Sequence, residues 1–105
     1  PAVLRNIQAY IEQRLSEPLT LTELAQEAGL SEFHFARMFK QSTQLAPHQF
    51  VMQRRMLRAE ALVKNSPLSL TDIAMACGFS SASHFSNRFK ATIGVTPSQL
   101  RAADK

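Results

Sequence analysis

The chain has 105 residues, enough for one ordinary domain or for two very small ones that share a core. Hydrophobic residues make up 45% of it and charged residues 19%, which excludes an intrinsically disordered chain. The single cysteine, Cys77, excludes an internal disulfide and a cysteine-based zinc site, and the net charge of +4 favours an anionic partner.

The sequence shows no feature that would direct the chain to a membrane. No apolar stretch approaches the roughly 20 residues that cross a bilayer, and the first residues do not resemble a secretory signal. We therefore expect a cytoplasmic location and no membrane association. Residues 1–30 carry a net charge of −2 and residues 31–105 one of +6, so a basic surface is expected after Gly29.

The first predicted element is an amphipathic helix at the start of the chain. Pro18 is expected to end it, because proline cannot continue a helix. Its apolar face follows from the helical spacing of Val3, Leu4, Ile7, Ile11 and Leu15.

The next predicted elements form a unit that occurs twice. The repeat pairs LTELAQEAGLS (21–31) with LTDIAMACGFS (70–80) at an offset of 49, and HFARMFK (34–40) with HFSNRFK (84–90) at an offset of 50. The second copy therefore has one extra residue in its turn. The match continues to PHQ (47–49) and PSQ (97–99), and duplication is its simplest explanation.

Each copy is predicted to fold as helix, turn, helix. Thr20 to Glu23 and Ser69 to Asp72 fit capping boxes, in which the hydroxyl accepts a backbone amide and the acid returns a bond to the cap residue. Gly29 and Gly78 favour the left-handed end of the first helix, and Ser31 and Ser80 are expected to cap the second. The second helices should bury Phe35 with Phe39, and Phe85 with Phe89.

A long helix is predicted between the two units. Residues 47–64 contain no glycine, and proline occurs only at their first position, where it does not disturb a helix. We expect two apolar faces and hence two packing partners: Phe50, Leu57 and Ala61 on one, and Met52, Met56, Ala59 and Val63 on the other. Ser66 and Pro67 mark its end.

The predicted organisation is a first helix-turn-helix subdomain over 1–46, a linker helix over 47–65 and a second subdomain over 66–105.

Helix-turn-helix units are typical of DNA-binding proteins. The second helix fits the major groove, where base edges present distinguishable patterns of donors and acceptors. Two units on one face of a duplex need centres roughly 34 Å apart, and a linker helix of roughly 27 Å is compatible with that spacing. Because both units follow the same order in one chain, we expect an asymmetric DNA site.

In the first recognition helix, Phe33, Ala36 and Arg37 are predicted to face the bases. Arg37 can form a bidentate contact with guanine, and Phe33 can contact a thymine methyl group. The alternatives are a surface salt bridge from Arg37 to Glu32 or Glu60, and a core position for Phe33.

In the second recognition helix the matching side chains are short: Ala82, Ser83, Ser86 and Asn87. Asn87 can pair with adenine, whereas the serines reach only close bases or phosphates. We therefore expect the second unit to contribute less base discrimination than the first.

Six basic residues are predicted to contact DNA phosphates: Lys40, Arg54, Arg55, Arg58, Arg88 and Lys90. The alternative for Lys40, Arg88 and Lys90 is that they complement helix dipoles near the helix ends. For the arginines of the long helix, the alternative is a solvated charged face.

These residues together resemble the two-motif DNA-binding domain of AraC/XylS-type transcription regulators. The likeness covers nearly the whole chain and is strongest over LTDIAMACGFSSASHFSNRFKATIGVTPSQLR, residues 70–101. The resemblance implies an all-α fold of about seven helices, with two recognition helices in successive major grooves of double-stranded DNA. Two departures concern the second unit: His84 replaces a frequent aromatic residue, and no arginine stands at its base-facing positions.

The resemblance also implies how the chain fits into a bacterial regulator. Members of the family usually join this domain to an amino-terminal effector-binding or dimerising domain, so we expect a carboxy-terminal fragment. Alone it should be monomeric, and the full-length protein should dimerise through the missing domain. RNA polymerase is the further partner that the resemblance implies.

Two other classes of function compete with DNA binding. Catalysis is disfavoured, because the sequence has no carboxylate pair, phosphate-binding glycine loop or nucleophile motif, and no cofactor is expected. His34 and His84 precede core phenylalanines, which favours packing or capping over metal binding, and Cys77 is expected to be buried. A helical protein-binding module without DNA binding is the second alternative.

Overall fold

The computed structural model describes residues 2–103, and this part of the chain is entirely helical. It contains seven α-helices and no strand, which confirms the predicted fold class. Their bounds are α1 Ala2–Gln13, α2 Leu21–Ala28, α3 Glu32–Thr43, α4 Pro47–Asn65, α5 Leu70–Ala76, α6 Ala82–Ile93 and α7 Pro97–Ala103. None of these helices is long and apolar enough to span a lipid bilayer.

The chain divides into two compact units within α4. The first unit ends at Arg54 and the second begins at Arg55. The helix itself is continuous from Pro47 to Asn65, as its lack of internal glycine and proline predicts. The three-part division of the sequence, with a separate linker segment, stays a prediction.

The core of the first unit is built from one face of each of its helices. In α3, the rings of Phe35 and Phe39 lie 5.5 Å apart, and Phe50 of α4 meets Phe39 edge to face at 5.2 Å. Burial of such side chains contributes roughly 1.5–3 kcal/mol each. The buried cluster comprises Ile7, Ile11, Leu15, Leu24, Ala25, Phe35, Phe39 and Val51.

The first helix ends earlier than its sequence predicts. α1 stops at Gln13, before Pro18, so proline is not the residue that ends it. The backbone instead tightens into successive turns, in which the Arg14 amide donates to the Ile11 carbonyl and the Glu17 amide to the Arg14 carbonyl, both at 3.0 Å. Leu15 remains buried after the helix has ended.

The second unit has an equivalent core. The Phe85 ring lies 5.7 Å from Phe89 and 5.4 Å from Phe79. Cys77 is buried as expected, and its burial raises the pKa of its thiol. Its buried residues are Met56, Ala59, Val63, Ile73, Ala74, Cys77, Phe79, Phe85, Phe89 and Pro97.

The two predicted apolar faces of α4 are only partly correct. Leu57 is 47% exposed and Ala61 is also exposed, so of the face predicted for Phe50, Leu57 and Ala61 only Phe50 packs against a core. The reason is that each unit uses only one half of the helix. Val51 belongs to the core of the first unit, and the buried residues of the other half are Met56, Ala59 and Val63.

Arg101 of α7 holds the end of α4 within the second unit. Its guanidinium donates to the backbone carbonyl oxygens of Val63 and Ser66 at 3.2 Å, Leu68 at 2.6 Å and Leu62 at 3.5 Å. Leu62 and Val63 belong to the last turn of α4, where helix carbonyls lack partners within the helix, whereas Ser66 and Leu68 follow the helix. The arginine therefore ties the segment that follows α4 to the end of that helix.

Candidate nucleic-acid interface

The turn of the first unit is fixed by a cap on each side. The Thr20 hydroxyl accepts from the Glu23 amide at 3.1 Å, and α2 ends at Gly29, whose φ of 72° is in the left-handed region. The Ser31 hydroxyl then accepts from the His34 amide at 3.2 Å and begins α3. The predicted helix, turn and helix are therefore present, with α3 as the recognition helix.

The turn of the second unit is longer by one residue. Gly78 has a φ of 85°, but the residue that caps α6 is Ser81, whose hydroxyl accepts from the His84 amide at 3.1 Å. The prediction of Ser80 is therefore wrong. The change of offset from 49 to 50 between the copies already placed an extra residue in this turn, and Ser81 is the residue that aligns with Ser31 at an offset of 50.

The acid of the first capping box has a different partner from the one predicted. The Glu23 carboxylate accepts from the Tyr10 hydroxyl of α1, and this bond raises the pKa of Tyr10. A reciprocal pair is instead made by Thr96 and Gln99: the Gln99 side-chain oxygen accepts from the Thr96 amide at 2.9 Å, and the Thr96 hydroxyl accepts from the Gln99 amide at 3.1 Å. The Gln49 side-chain oxygen likewise accepts from the Ala46 amide at 2.9 Å, but alanine has no hydroxyl to accept a bond in return.

One side of α3 presents three large side chains away from the core. Phe33 is 68% exposed, which rules out the core position, and Arg37 and Lys40 are exposed beside it. Ala36, on the same side, is half-buried. Spacings of three and four residues align these side chains along one stripe, opposite the buried Phe35 and Phe39.

The two acids considered as alternative partners of Arg37 are engaged by other side chains. The Glu32 carboxylate accepts from the Thr22 hydroxyl at 2.7 Å, and Glu60 pairs with Lys64 at 3.7 Å. Within residues 2–103 Arg37 makes no ion pair, so its guanidinium is available to a ligand.

The corresponding side of α6 is short and polar. Ala82, Ser83 and Asn87 are exposed and Ser86 is half-buried.

The His84 ring packs edge to face on Phe79 at 5.3 Å, and in the first unit His34 Nδ1 lies 2.8 Å from the Ser31 hydroxyl. Both histidines therefore stabilise the helix start, and no cluster of metal-binding side chains exists within the described residues.

The six predicted phosphate contacts occupy different environments. Lys40, Arg88 and Lys90 are exposed on the recognition helices. Arg54 is half-buried and ion-paired with Glu12 of α1. Arg55 is also half-buried, and burial lowers the pKa of its guanidinium, whereas Arg58 is exposed.

Comparison with known proteins agrees with this architecture. A family described as a helix-turn-helix domain matches residues 24–103. The transcriptional activator AarP of Providencia stuartii is 30% identical over 103 residues, which cover 98% of this chain and 76% of AarP. This chain belongs to the AraC-type helix-turn-helix family. Members of that family are DNA-binding transcription regulators.

Two solved structures show the same AraC-type fold. The DNA-binding domain of AdpA, in complex with a target DNA, has a TM-score of 0.90 and 32% identity, over 95% of this chain and 90% of that one. An AraC-type regulator from Chromobacterium violaceum has a TM-score of 0.89 and 31% identity, over 98% and 92% of the two chains.

Several of the matching relatives are much longer than this chain. LumQ of Photobacterium leiognathi, a probable transcriptional regulator, is 36% identical over 95 residues, which are 90% of this chain and 38% of LumQ. The chain thus spans less than two fifths of that relative.

Sequence reasoning did not single out one exposed residue beside the predicted base-facing side chains. Glu32 is the first residue of α3 and is exposed, directly before Phe33. The offset of 50 aligns it with Ala82, which does appear among the predicted base-facing residues. Applying the same offset from the second copy back to the first would have identified it.

Proposed function

We propose that this AraC-type domain binds double-stranded DNA sequence-specifically, with α3 and α6 in successive major grooves, and thereby regulates transcription. The observation that carries the proposal is the exposed stripe of Phe33, Arg37 and Lys40, on a helix whose other side is packed into the core. A helix held in this way presents its side chains in fixed directions, as recognition of base edges requires.

In the first unit, Arg37 donates to guanine O6 and N7, and Phe33 contacts a thymine methyl group beside it. Ala36 allows the helix to approach the bases closely. Arg37 is suited to this role because none of the described residues pairs with it, so no ion pair has to be broken. A bidentate arginine contact of this kind provides roughly 1–3 kcal/mol of discrimination between bases.

In the second unit, Asn87 pairs with adenine, while Ala82, Ser83 and Ser86 permit close approach with little discrimination. Lys40, Arg88, Lys90 and the arginines of α4 contact phosphates. Arg54 contacts a phosphate either while it remains paired with Glu12 or after that ion pair breaks. It therefore contributes the least to phosphate binding among these residues.

The proposal also covers the oligomeric state, the location and the partners of the domain. The isolated chain is monomeric and acts in the cytoplasm, without catalysis. Contact with RNA polymerase, and dimerisation through another domain, belong to the whole regulator.

Selection of binding sites from a random pool of duplex DNA tests the proposal. The wild-type chain should enrich an asymmetric site with two half-sites about 10 base pairs apart. Arg37→Ala should reduce affinity for that site roughly 10- to 100-fold and weaken the preference for guanine at one position. Asn87→Ala should reduce the affinity by a smaller factor.

Two outcomes would contradict this function. Failure to enrich any site, with binding that does not respond to salt, would favour a protein-binding module. A larger loss from Asn87→Ala than from Arg37→Ala would reverse the ranking of the two units. Thermal unfolding of both variants should match the wild type, since both side chains are exposed.

A further inference from the structure

An acidic side chain stands at the start of the first recognition helix, where a DNA-binding surface is expected to be basic. Glu32 is the first residue of α3, it is exposed, and it precedes Phe33 of the stripe. Residues at the amino-terminal end of a recognition helix are those that reach base edges. A carboxylate at this position therefore affects which DNA sequences the helix can accept.

The carboxylate of Glu32 is held in place by the preceding helix. The Thr22 hydroxyl of α2 donates to Oε2 at 2.7 Å. The bond occupies one oxygen and leaves Oε1 able to accept from a ligand. Because Thr22 lies in α2 and Glu32 in α3, the bond also restricts the rotamers of the glutamate side chain.

The second unit supplies an internal comparison. At the offset of 49, Thr71 aligns with Thr22, and at the offset of 50, Ala82 aligns with Glu32. The threonine is thus present in both copies, whereas the carboxylate occurs only in the first. The fold does not require the acid at this position, since α6 begins with alanine.

We propose that Glu32 is a specificity-determining residue that makes the first unit prefer a cytosine at the base pair it faces, an inference that rests on the proposed DNA binding. A carboxylate can only accept hydrogen bonds. In the major groove the N4 amino group of cytosine donates, whereas guanine presents two acceptors and thymine an acceptor and a methyl group. Adenine offers its N6 donor beside the N7 acceptor, which repels a carboxylate.

The same charge disfavours sequences that lack the donor. A carboxylate in the groove is repelled by the phosphates on either side, and only a hydrogen bond from the base offsets that cost. Glu32 should therefore weaken binding to random DNA while it improves selectivity. A carboxylate in the first turn also complements the helix dipole, but that structural role predicts no base preference.

Site selection with four variants tests the proposal: Glu32→Ala, Glu32→Gln, Thr22→Val and the matched control Thr71→Val. The wild type should enrich cytosine at one position next to the guanine specified by Arg37. Glu32→Ala should lower that preference about tenfold, leave the other positions unchanged and raise the affinity for random duplex several-fold. Glu32→Gln, which retains the shape without the charge, should shift the preference from cytosine towards adenine, because an amide side chain both donates and accepts.

The threonine variants test the positioning of the carboxylate. Thr22→Val should weaken the cytosine preference, and Thr71→Val should leave all preferences unchanged. Equal base preferences in wild type and Glu32→Ala would overturn the proposal, and an unaltered preference in Thr22→Val would overturn the positioning role. A wild-type chain that enriches no site would instead refute the proposed DNA binding, so the two failures are distinguishable.

Discussion

Gln44 and Gly94 occupy equivalent positions at the ends of the two recognition helices, and both adopt a left-handed backbone. Their φ angles are 68° and 101°, and each backbone amide donates to the carbonyl of a lysine four residues earlier at 2.9 Å. Glycine adopts this conformation without steric cost, whereas a residue with a side chain pays about 1–2 kcal/mol. The first unit therefore contains a strained residue that the second unit avoids.

Replacing Gln44 with glycine should stabilise the first unit. We expect Gln44→Gly to raise the free energy of unfolding by about 0.5–1 kcal/mol, because relief of strain exceeds the extra entropy of the unfolded chain. Gly94→Gln should lower it by a similar amount. A Cβ at Gly94 would have no heavy atom within 4 Å, so that cost is confined to the backbone. Thermal unfolding measures both, and a destabilised Gln44→Gly would contradict the prediction.

At the scale of single residues, the sequence predicts a backbone conformation where that conformation is adopted mainly by one residue type. Gly29 and Gly78 identify left-handed helix ends, and both have positive φ. Gln44 gives no such indication, because glutamine rarely adopts this conformation and only alignment with Gly94 points to it. Phe33 could not be assigned to core or surface by hydrophobicity, since only the packed structure shows that it is 68% exposed.

Arg101 connects α7 to the end of α4, and its loss should destabilise the second unit. We expect Arg101→Ala to lower the free energy of unfolding by about 2 kcal/mol, because four carbonyl groups lose a charged donor. Arg101→Lys should recover only part of this, since a single ammonium group cannot reach carbonyls on several sides. Denaturant unfolding measures the effect, with the exposed Arg5→Ala as control; equal stability of all three variants would contradict it.

At the scale of elements, the sequence predicts which helices exist better than which faces they bury. The repeat and its caps identify α2, α3, α5 and α6, because short-range chemistry determines helix starts. The faces of α4 depend on where one unit stops and the next begins, a long-range property that periodicity does not contain. Leu57 is apolar and has the helical spacing of a buried residue, yet it is 47% exposed, because periodicity does not show where the boundary between the units falls.

At the scale of the whole molecule, charge is divided unequally between the two units. Up to Arg54 the chain has five basic and five acidic residues, whereas from Arg55 onward it has seven basic and three acidic residues. The unit with the long side chains that are predicted to face the bases is thus neutral, and the unit with the short ones carries the net charge of +4. Sequence-independent attraction to phosphates is therefore expected mainly from the second unit, and base discrimination from the first.

Two double variants, one on each recognition helix, test this division. Arg88→Gln with Lys90→Gln should flatten the slope of log affinity against log salt for random duplex by about 2, since each lost phosphate contact contributes about 0.9. Arg37→Gln with Lys40→Gln should flatten the slope by only about 1, because Arg37 is proposed to contact a base rather than a phosphate. This second double variant should nevertheless lower the ratio of specific to random affinity more than the first one does. Fluorescence titrations at several salt concentrations measure both quantities. Equal slopes and equal ratios for the two double variants would contradict this division. They would show that both units contribute alike to phosphate attraction and to base discrimination, although their charges differ.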